Sequence, residues 1–137
     1  MATIEPGSGP AERLASTILG WLTTVRTDGQ PQSSYVWFHF DGRDLLIASQ
    51  PGAPKVRNIR SNPKVSFHLD GDGSGGGVLA IDGVAEVVDG DLPAERVGAY
   101  LAKYDDVIRT VLQTTPEELR REYSTTIRIT PSRLRAW

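Results

Sequence analysis

The chain has 137 residues, 39% of them hydrophobic, with 15 basic and 17 acidic side chains for a formal net charge of -2. This is enough apolar material for one domain, residues 1–137, with a core of its own. The absence of cysteine excludes a disulfide framework, a thiolate zinc site, a cysteine nucleophile and a dithiol couple, so any redox chemistry must come from a bound cofactor. The basic residues form no polybasic run and nucleic acid is not an expected partner. The first residues lack the basic start and apolar stretch of a secretory signal. No run of about eighteen apolar residues marks a membrane span, so a cytoplasmic protein without a membrane partner is expected.

In chain order, Pro10 suits the first turn of a helix that places Ala11, Leu14, Ala15, Ile18 and Leu19 on one face. Trp21 to Thr27 and Gln32 to Phe40 flank Asp28-Gly29, a turn dipeptide favoured in hairpins. Asp41-Gly42 repeats the device before Asp44 to Ser49, whose apolar run predicts burial on both faces. Pro54 to Ser61 predicts a short helix with Val56 and Ile59 inward, stopped by Asn62-Pro63. Strands follow at Lys64 to Asp70, alternating through Val65, Phe67 and Leu69, and at Val78 to Val88.

The glycine-rich segment from Gly71 to Gly77 predicts a flexible connection between those two strands, and no Gly-Lys-Ser/Thr comes after it to make it a phosphate loop. Leu92 to Leu112 reads as a helix with Val97, Leu101, Val107, Ile108, Val111 and Leu112 as its apolar face, and Pro116 opens a shorter one. Thr125 to Thr130, rich in β-branched residues, makes a sixth strand. The fold class is mainly β (α+β): a six-stranded antiparallel barrel, which removes exposed edges, with short flanking helices.

Few side chains suggest chemistry of their own. His39 and His68 lie apart in strands with no metal-spaced partner, so a metal site is not expected and each reads more readily as structural than as a general acid. Tyr35, Trp37 and Phe38 are read as barrel packing, and the adjacent Asp105 and Asp106 cannot share a helix face as an acid/base pair. No nucleophile elbow, zinc-protease or dinucleotide fingerprint occurs.

The segment DGQPQSSYVWFHFDGRDLLIASQPGAPKVRNIRSNPKV, Asp28 to Val65, resembles the flavin/deazaflavin oxidoreductases of family B within the pyridoxamine phosphate oxidase-like split β-barrel superfamily. The matching features are the Asp-Gly turns, Pro-Gln opening the second strand, the apolar third strand and Lys55-Val56-Arg57-Asn58 before Asn62-Pro63. The likeness extends more loosely through Gly83 to Ile129-Thr130-Pro131 and Arg133. It implies a split β-barrel and a homodimer with its site at the subunit interface. It also implies a small-molecule cofactor, coenzyme F-420 or alternatively FMN.

Both cofactors carry phosphate, for which Lys55 and Arg57 at a helix start would supply charge and aligned donors, with Arg60 nearby. In an arbitrary short helix those three residues would read as a solvated face, and the surrounding family pattern turns the reading toward the phosphate. Asn58 would bond the phosphate or cap its own helix. The resemblance further places the cofactor ring against Gln32, Ser33 and Ser34 and against Ala48, Ser49 and Gln50, although turn and surface polarity also explains Ser33, Ser34 and Gln50. The implied reaction is hydride transfer to a small unsaturated substrate such as an enone, a quinone or a tetrapyrrole. An FMN-dependent oxidase or reductase, and a non-catalytic cofactor- or tetrapyrrole-binding protein, are the alternatives.

Overall fold

The computed structural model describes the backbone of residues 4–89 and 94–137 and the side chains of 4–88 and 98–137. The elements are α1 (Gly9–Ser16), β1 (Leu19–Val25), β2 (Pro31–Trp37), β3 (His39–Phe40), β4 (Leu45–Ser49), α2 (Pro54–Ser61), β5 (Lys64–His68), β6 (Leu79–Asp89), α3 (Ala94–Thr110), α4 (Pro116–Glu122) and β7 (Thr125–Ala136). All seven strands lie in one antiparallel sheet of order β2-β1-β5-β6-β7-β4-β3. Its two outer strands, β2 and β3, are separated in sequence only by Phe38. The sheet therefore curls until its edges meet through the chain itself, giving a split β-barrel that encloses Leu22, Phe38, Leu45, Ile47, Phe67, Ile81, Ile127 and Ile129.

The expected second strand, Gln32 to Phe40, is thus two strands, which makes seven rather than six. Alternation along Pro31–Trp37 satisfies one edge of the sheet, and the chain must leave that ladder at Phe38 to reach the other. The last strand runs to Ala136 instead of stopping at Thr130. Pro131 interrupts the pattern without ending it, because the β6–β7 register shifts there, with Pro131 opposite Gly83 and Arg133 opposite Asp82. Ser132 is the extra residue of this bulge, and its hydroxyl donates to the Asp82 carbonyl at 3.0 Å. Gly83 is required at this crossing. A Cβ there would sit 2.6 Å from Ile129 Cγ2 and 3.0 Å from the Thr130 carbonyl oxygen.

Two helices differ from their sequence patterns. α1 begins at a Ser8 cap and ends at Ser16; Ala11 and Leu14 are buried, Ala15 is exposed, and Leu19 already belongs to β1. The buried face of α3 is Tyr100, Tyr104 and Ile108, spaced four residues apart, while Val111 and Leu112 past its end are exposed. Leu92 and the side chain of Val97 lie outside the described residues. In the glycine segment, one Asp72 carboxylate oxygen accepts from Ser74 N, Ser74 Oγ and Gly76 N, so the connection is an ordered turn.

The strand break is held by α3. Tyr104 Oη accepts from Phe38 N at 2.8 Å and lies 3.0 Å from the Phe38 carbonyl and 2.5 Å from the Ile18 carbonyl, its hydrogen-bond acceptors. Lys103 Nζ donates to the carbonyls of Phe38 (3.0 Å) and Leu14 (3.2 Å) and sits 3.8 Å from the Phe38 ring centroid. Burial pushes the Lys103 amine down from 10.5 to about 8. Between those two values the unfolded chain carries a proton that the folded chain has released, so this group's contribution to stability rises with pH across that window. The neutral amine keeps two N–H donors for the same two carbonyls. The stability of the parent relative to Lys103→Met, taken from urea midpoints, should therefore increase between about pH 8 and 10.5; a flat or falling difference would mean that the lysine stays charged in the fold.

Candidate functional site

A cavity of 310 Å³ lies between the barrel wall and the two C-terminal helices. The wall side is Tyr35, Val36 and Trp37 of β2, Ala48 of β4 and Lys55 in the first turn of α2; the helical side includes Tyr100 and Leu101 of α3 and Leu119, Arg120 and Tyr123 of α4. The volume lies at the lower end of the roughly 300–1,000 Å³ usual for small-molecule sites. The cleft arises where β3 is short: β3 pairs only with Leu45 and Leu46, so the outer edge of β4 from Ile47 onward is left to α3 and α4. Trp37 stacks on Tyr104, with ring centroids 4.4 Å apart and planes 7° apart, which fixes the wall to the helix that faces it.

Tyr100 is buried at the base of the cleft and its phenol is pushed well above the ordinary range, chiefly by loss of solvent and further by the neighbouring Tyr104. It stays protonated across the working pH range. Lys55 is half-buried, and burial lowers its ammonium below the ordinary lysine value. Among the described residues no carboxylate pairs with it. A half-buried cation with no counter-charge among the described residues, on a wall of aromatic and small apolar groups, suits a flat ligand that carries an anion.

Of the residues singled out from the sequence, Ala48 and Lys55 line the cleft. Asn58 is buried on the inner side of α2, where its amide donates to Thr24 Oγ1 at 3.0 Å and to Gln32 Oε1 at 2.9 Å. It therefore ties α2 to β1 and β2 and does not cap its own helix. Gln32 is the other end of that tie. Ser33 Oγ shares a 2.8 Å hydrogen bond with Thr23 Oγ1 across the hairpin, and Ser34 is half-buried opposite Leu22. Ser49 is fully buried and its hydroxyl donates to the Gln50 carbonyl, while the Gln50 amide donates to Glu122 at 2.7 Å and so links the end of β4 to α4. Arg57 is exposed and donates to the Gly52 carbonyl at 2.8 Å; Arg60 is exposed. Lys55 and Arg57 are two residues apart and so occupy different helix faces.

Tyr35 and Trp37, read from the sequence as packing, form part of the cleft wall, whereas Phe38 is in the core. Tyr100, Arg120 and Tyr123 were not singled out. The pairs Tyr100/Tyr104 and Leu119/Tyr123, each at helical spacing, were the available signal. His39 and His68 do not line the cleft; His68 Nδ1 lies 3.2 Å from the Leu69 carbonyl. No metal-binding cluster exists among the described residues, and none of their helices is long and apolar enough to cross a membrane.

These features define a split-barrel protein with a small-molecule-sized cleft between its wall and a helical cap. Residues 11–137 match the family described as pyridoxamine 5'-phosphate oxidase, and the chain belongs to that family. Among solved structures, it is similar to an F-420 reductase at 26% identity and a TM-score of 0.70, covering 93% of this chain and 97% of that one. It is also similar to a putative pyridoxamine 5'-phosphate oxidase from Listeria innocua at 25% identity and a TM-score of 0.67, covering 91% and 92% of the two chains. The haem storage protein HutZ from Vibrio cholerae shares the fold at 19% identity and a TM-score of 0.68, covering 98% and 95%.

The Asn58 tie sets where Lys55 stands relative to the wall. Replacing the amide leaves the buried Thr24 hydroxyl without that partner, so Asn58→Ala should destabilise the fold by about 1–3 kcal/mol. Urea unfolding would show this as a lower midpoint; an unchanged midpoint would mean that the tie contributes nothing to the position of α2.

Proposed function

We propose that the protein is an oxidoreductase that holds coenzyme F-420 in this cleft and reduces a small unsaturated substrate, such as an enone, a quinone or a tetrapyrrole, with FMN as the alternative cofactor. The observation that carries the reading is Lys55, a half-buried cation in the first turn of α2, facing an aromatic cleft without a described counter-ion. A deazaflavin or flavin combines a planar ring with a phosphate-bearing tail, which fits that donor set. The F-420 reductase at 26% identity over nearly the whole chain supports the choice of deazaflavin.

When bound, either cofactor supplies the hydride-transfer chemistry that the protein's own side chains lack. The chain's part is to bind, to orient and to keep water out. Tyr35, Val36 and Trp37 form the surface for the ring, and the small side chain of Ala48 lets it approach β4. Lys55 holds the phosphate at the start of α2, where Ala53 provides no side-chain cap and the helix dipole also favours an anion. Arg57 and Arg60 add positive charge outside the cleft. Gln32 and Asn58 keep α2 against the wall, Ser33 ties β2 to β1, and Gln50 ties the end of β4 to α4. Leu101 and Leu119 exclude water from the helical side. A haem-binding role has less support, because neither His39 nor His68 reaches the cleft.

A second copy of the chain completes the site in this reading. The cleft opens beside Tyr35, Leu112 and Tyr123, which are 46%, 46% and 36% exposed, an arrangement suited to an apolar lid from a partner. Sedimentation should give a dimer at micromolar concentration, and a monomer that binds cofactor fully would remove the dimer from the proposal.

The cofactor assignment is tested by titrating purified protein with coenzyme F-420 and with FMN, monitored by absorbance and fluorescence. A charged hydrogen bond contributes roughly 1.5–3 kcal/mol, so Lys55→Ala should weaken the cofactor dissociation constant about ten- to a hundredfold. Arg57→Ala should weaken it less, and the affinity of the parent should fall with added salt. Turnover at saturating cofactor should drop less than affinity, since the phosphate lies away from the reacting ring. Equal affinity of parent and Lys55→Ala across a salt series would overturn the assignment.

A further inference from the structure

Tyr35 is 46% exposed, yet its ring is not free to swing. Its hydroxyl donates to Asp70 Oδ2 at 2.9 Å, and the indole Nε1 of Trp21 donates to the other oxygen, Oδ1, at 3.1 Å. Trp21 and Tyr35 are direct cross-strand partners and their rings stack at 4.5 Å with planes 22° apart. Trp21 also faces His68 of β5, so Asp70, two residues beyond His68, reaches across β1 to meet both aromatic donors. The backbone of Asp70 is held in turn from α1: Arg13 Nη2 donates to its carbonyl at 3.2 Å and Arg13 Nη1 to the Gly77 carbonyl at 2.7 Å. The carboxylate raises the Tyr35 phenol above its ordinary value, so the donor proton is retained.

We infer that Asp70 is a positioning residue for the cleft: by taking one hydrogen bond from Tyr35 and one from Trp21 it locks the Tyr35 ring as the outer end of the ligand-facing wall. The inference rests on the proposed cofactor reading for its functional consequence, but its geometric part stands apart from that reading. Two aromatic rings that each occupy one carboxylate oxygen leave the tyrosine a single orientation, whereas a half-exposed tyrosine without that acceptor samples several rotamers. The wall would then have to be ordered each time a flat ligand binds, and affinity would fall by the cost of that ordering.

The test uses Asp70→Ala, Tyr35→Phe and the double variant, all checked for intact secondary structure. Near-ultraviolet circular dichroism of the stacked Trp21–Tyr35 pair should weaken in Asp70→Ala, and an unchanged spectrum would overturn the positioning role whether or not any cofactor binds. Titration with coenzyme F-420 and FMN should show about a three- to tenfold loss of affinity in Asp70→Ala. Tyr35→Phe cuts one of the two hydrogen bonds that Asp70→Ala removes, so it should lose affinity in the same direction and by no more than Asp70→Ala, and the double variant should be no worse than Asp70→Ala alone. Full additivity of the Asp70→Ala and Tyr35→Phe losses would show that Asp70 acts only on its own loop. Failure of the parent to bind either cofactor would defeat the proposed function, and the circular dichroism would still decide the role of Asp70.

Discussion

Closing a curled sheet through a single residue puts that residue's peptide groups outside both ladders, and at Phe38 those groups are buried. Buried backbone donors and acceptors must find partners. Tyr104 supplies an oxygen for the Phe38 N–H and shares its proton with the Phe38 and Ile18 carbonyls, and Lys103 supplies a second donor for Phe38 and one for Leu14. The closure of the barrel and the docking of α3 are therefore one event. A Phe38 without α3 would leave an unsatisfied strand break in the core, and an α3 without Phe38 would lose the fixed point for both of its polar anchors.

The cleft is a consequence of that constraint. With Tyr104 fixed against Phe38, Trp37 stacks on it from the strand side, and Tyr100, one turn earlier on α3, falls over the unpaired edge of β4. α4 closes the remaining side with little packing of its own: none of its residues is buried, and its attachments include the Thr115 cap and the Gln50–Glu122 hydrogen bond. Gln113, at φ 54, turns the chain between α3 and α4 in a conformation that glycine adopts more readily. The cavity thus has a rigid wall and a lightly held cap. Opposite the cap, α2 is fixed by Asn58, so the charge of Lys55 is presented at a defined place on the rim.

The elements were largely legible because their signals are local. Asp28-Gly29 and Asp41-Gly42 mark turns whose glycines take φ 87 and 94, the run Leu45-Leu46-Ile47 is buried on both faces as its composition implied, and Pro54 to Ser61 forms the expected helix. Boundaries failed where tertiary hydrogen bonds overrode a local pattern. Phe38 looks like one more residue of an alternating strand until the other sheet edge claims His39 and Phe40, and Pro131 looks like a stop until a bulge opposite Gly83 absorbs it. On α3, the aliphatic pattern marked Ile108 correctly but passed over Tyr100 and Tyr104, which share its buried face, Tyr104 there because its hydroxyl bonds the peptide groups of Phe38.

Within the site, the amino-acid sequence determined that any redox chemistry must be borrowed, that a basic helix comes after the apolar strand ending at Ser49, and that Lys55 stands in the first turn of that helix. Side-chain type and short-range spacing are sufficient for each of these. Which of the polar residues face the cleft was decided by the tertiary structure alone. Asn58 and Gln32 have the composition of a binding pair and spend their hydrogen bonds on each other, while Tyr35 and Trp37, which read as packing, form the wall. Residues from β2, β4, α2, α3 and α4 meet only after the barrel has closed, and the partners that fix their directions lie tens of residues away in the chain.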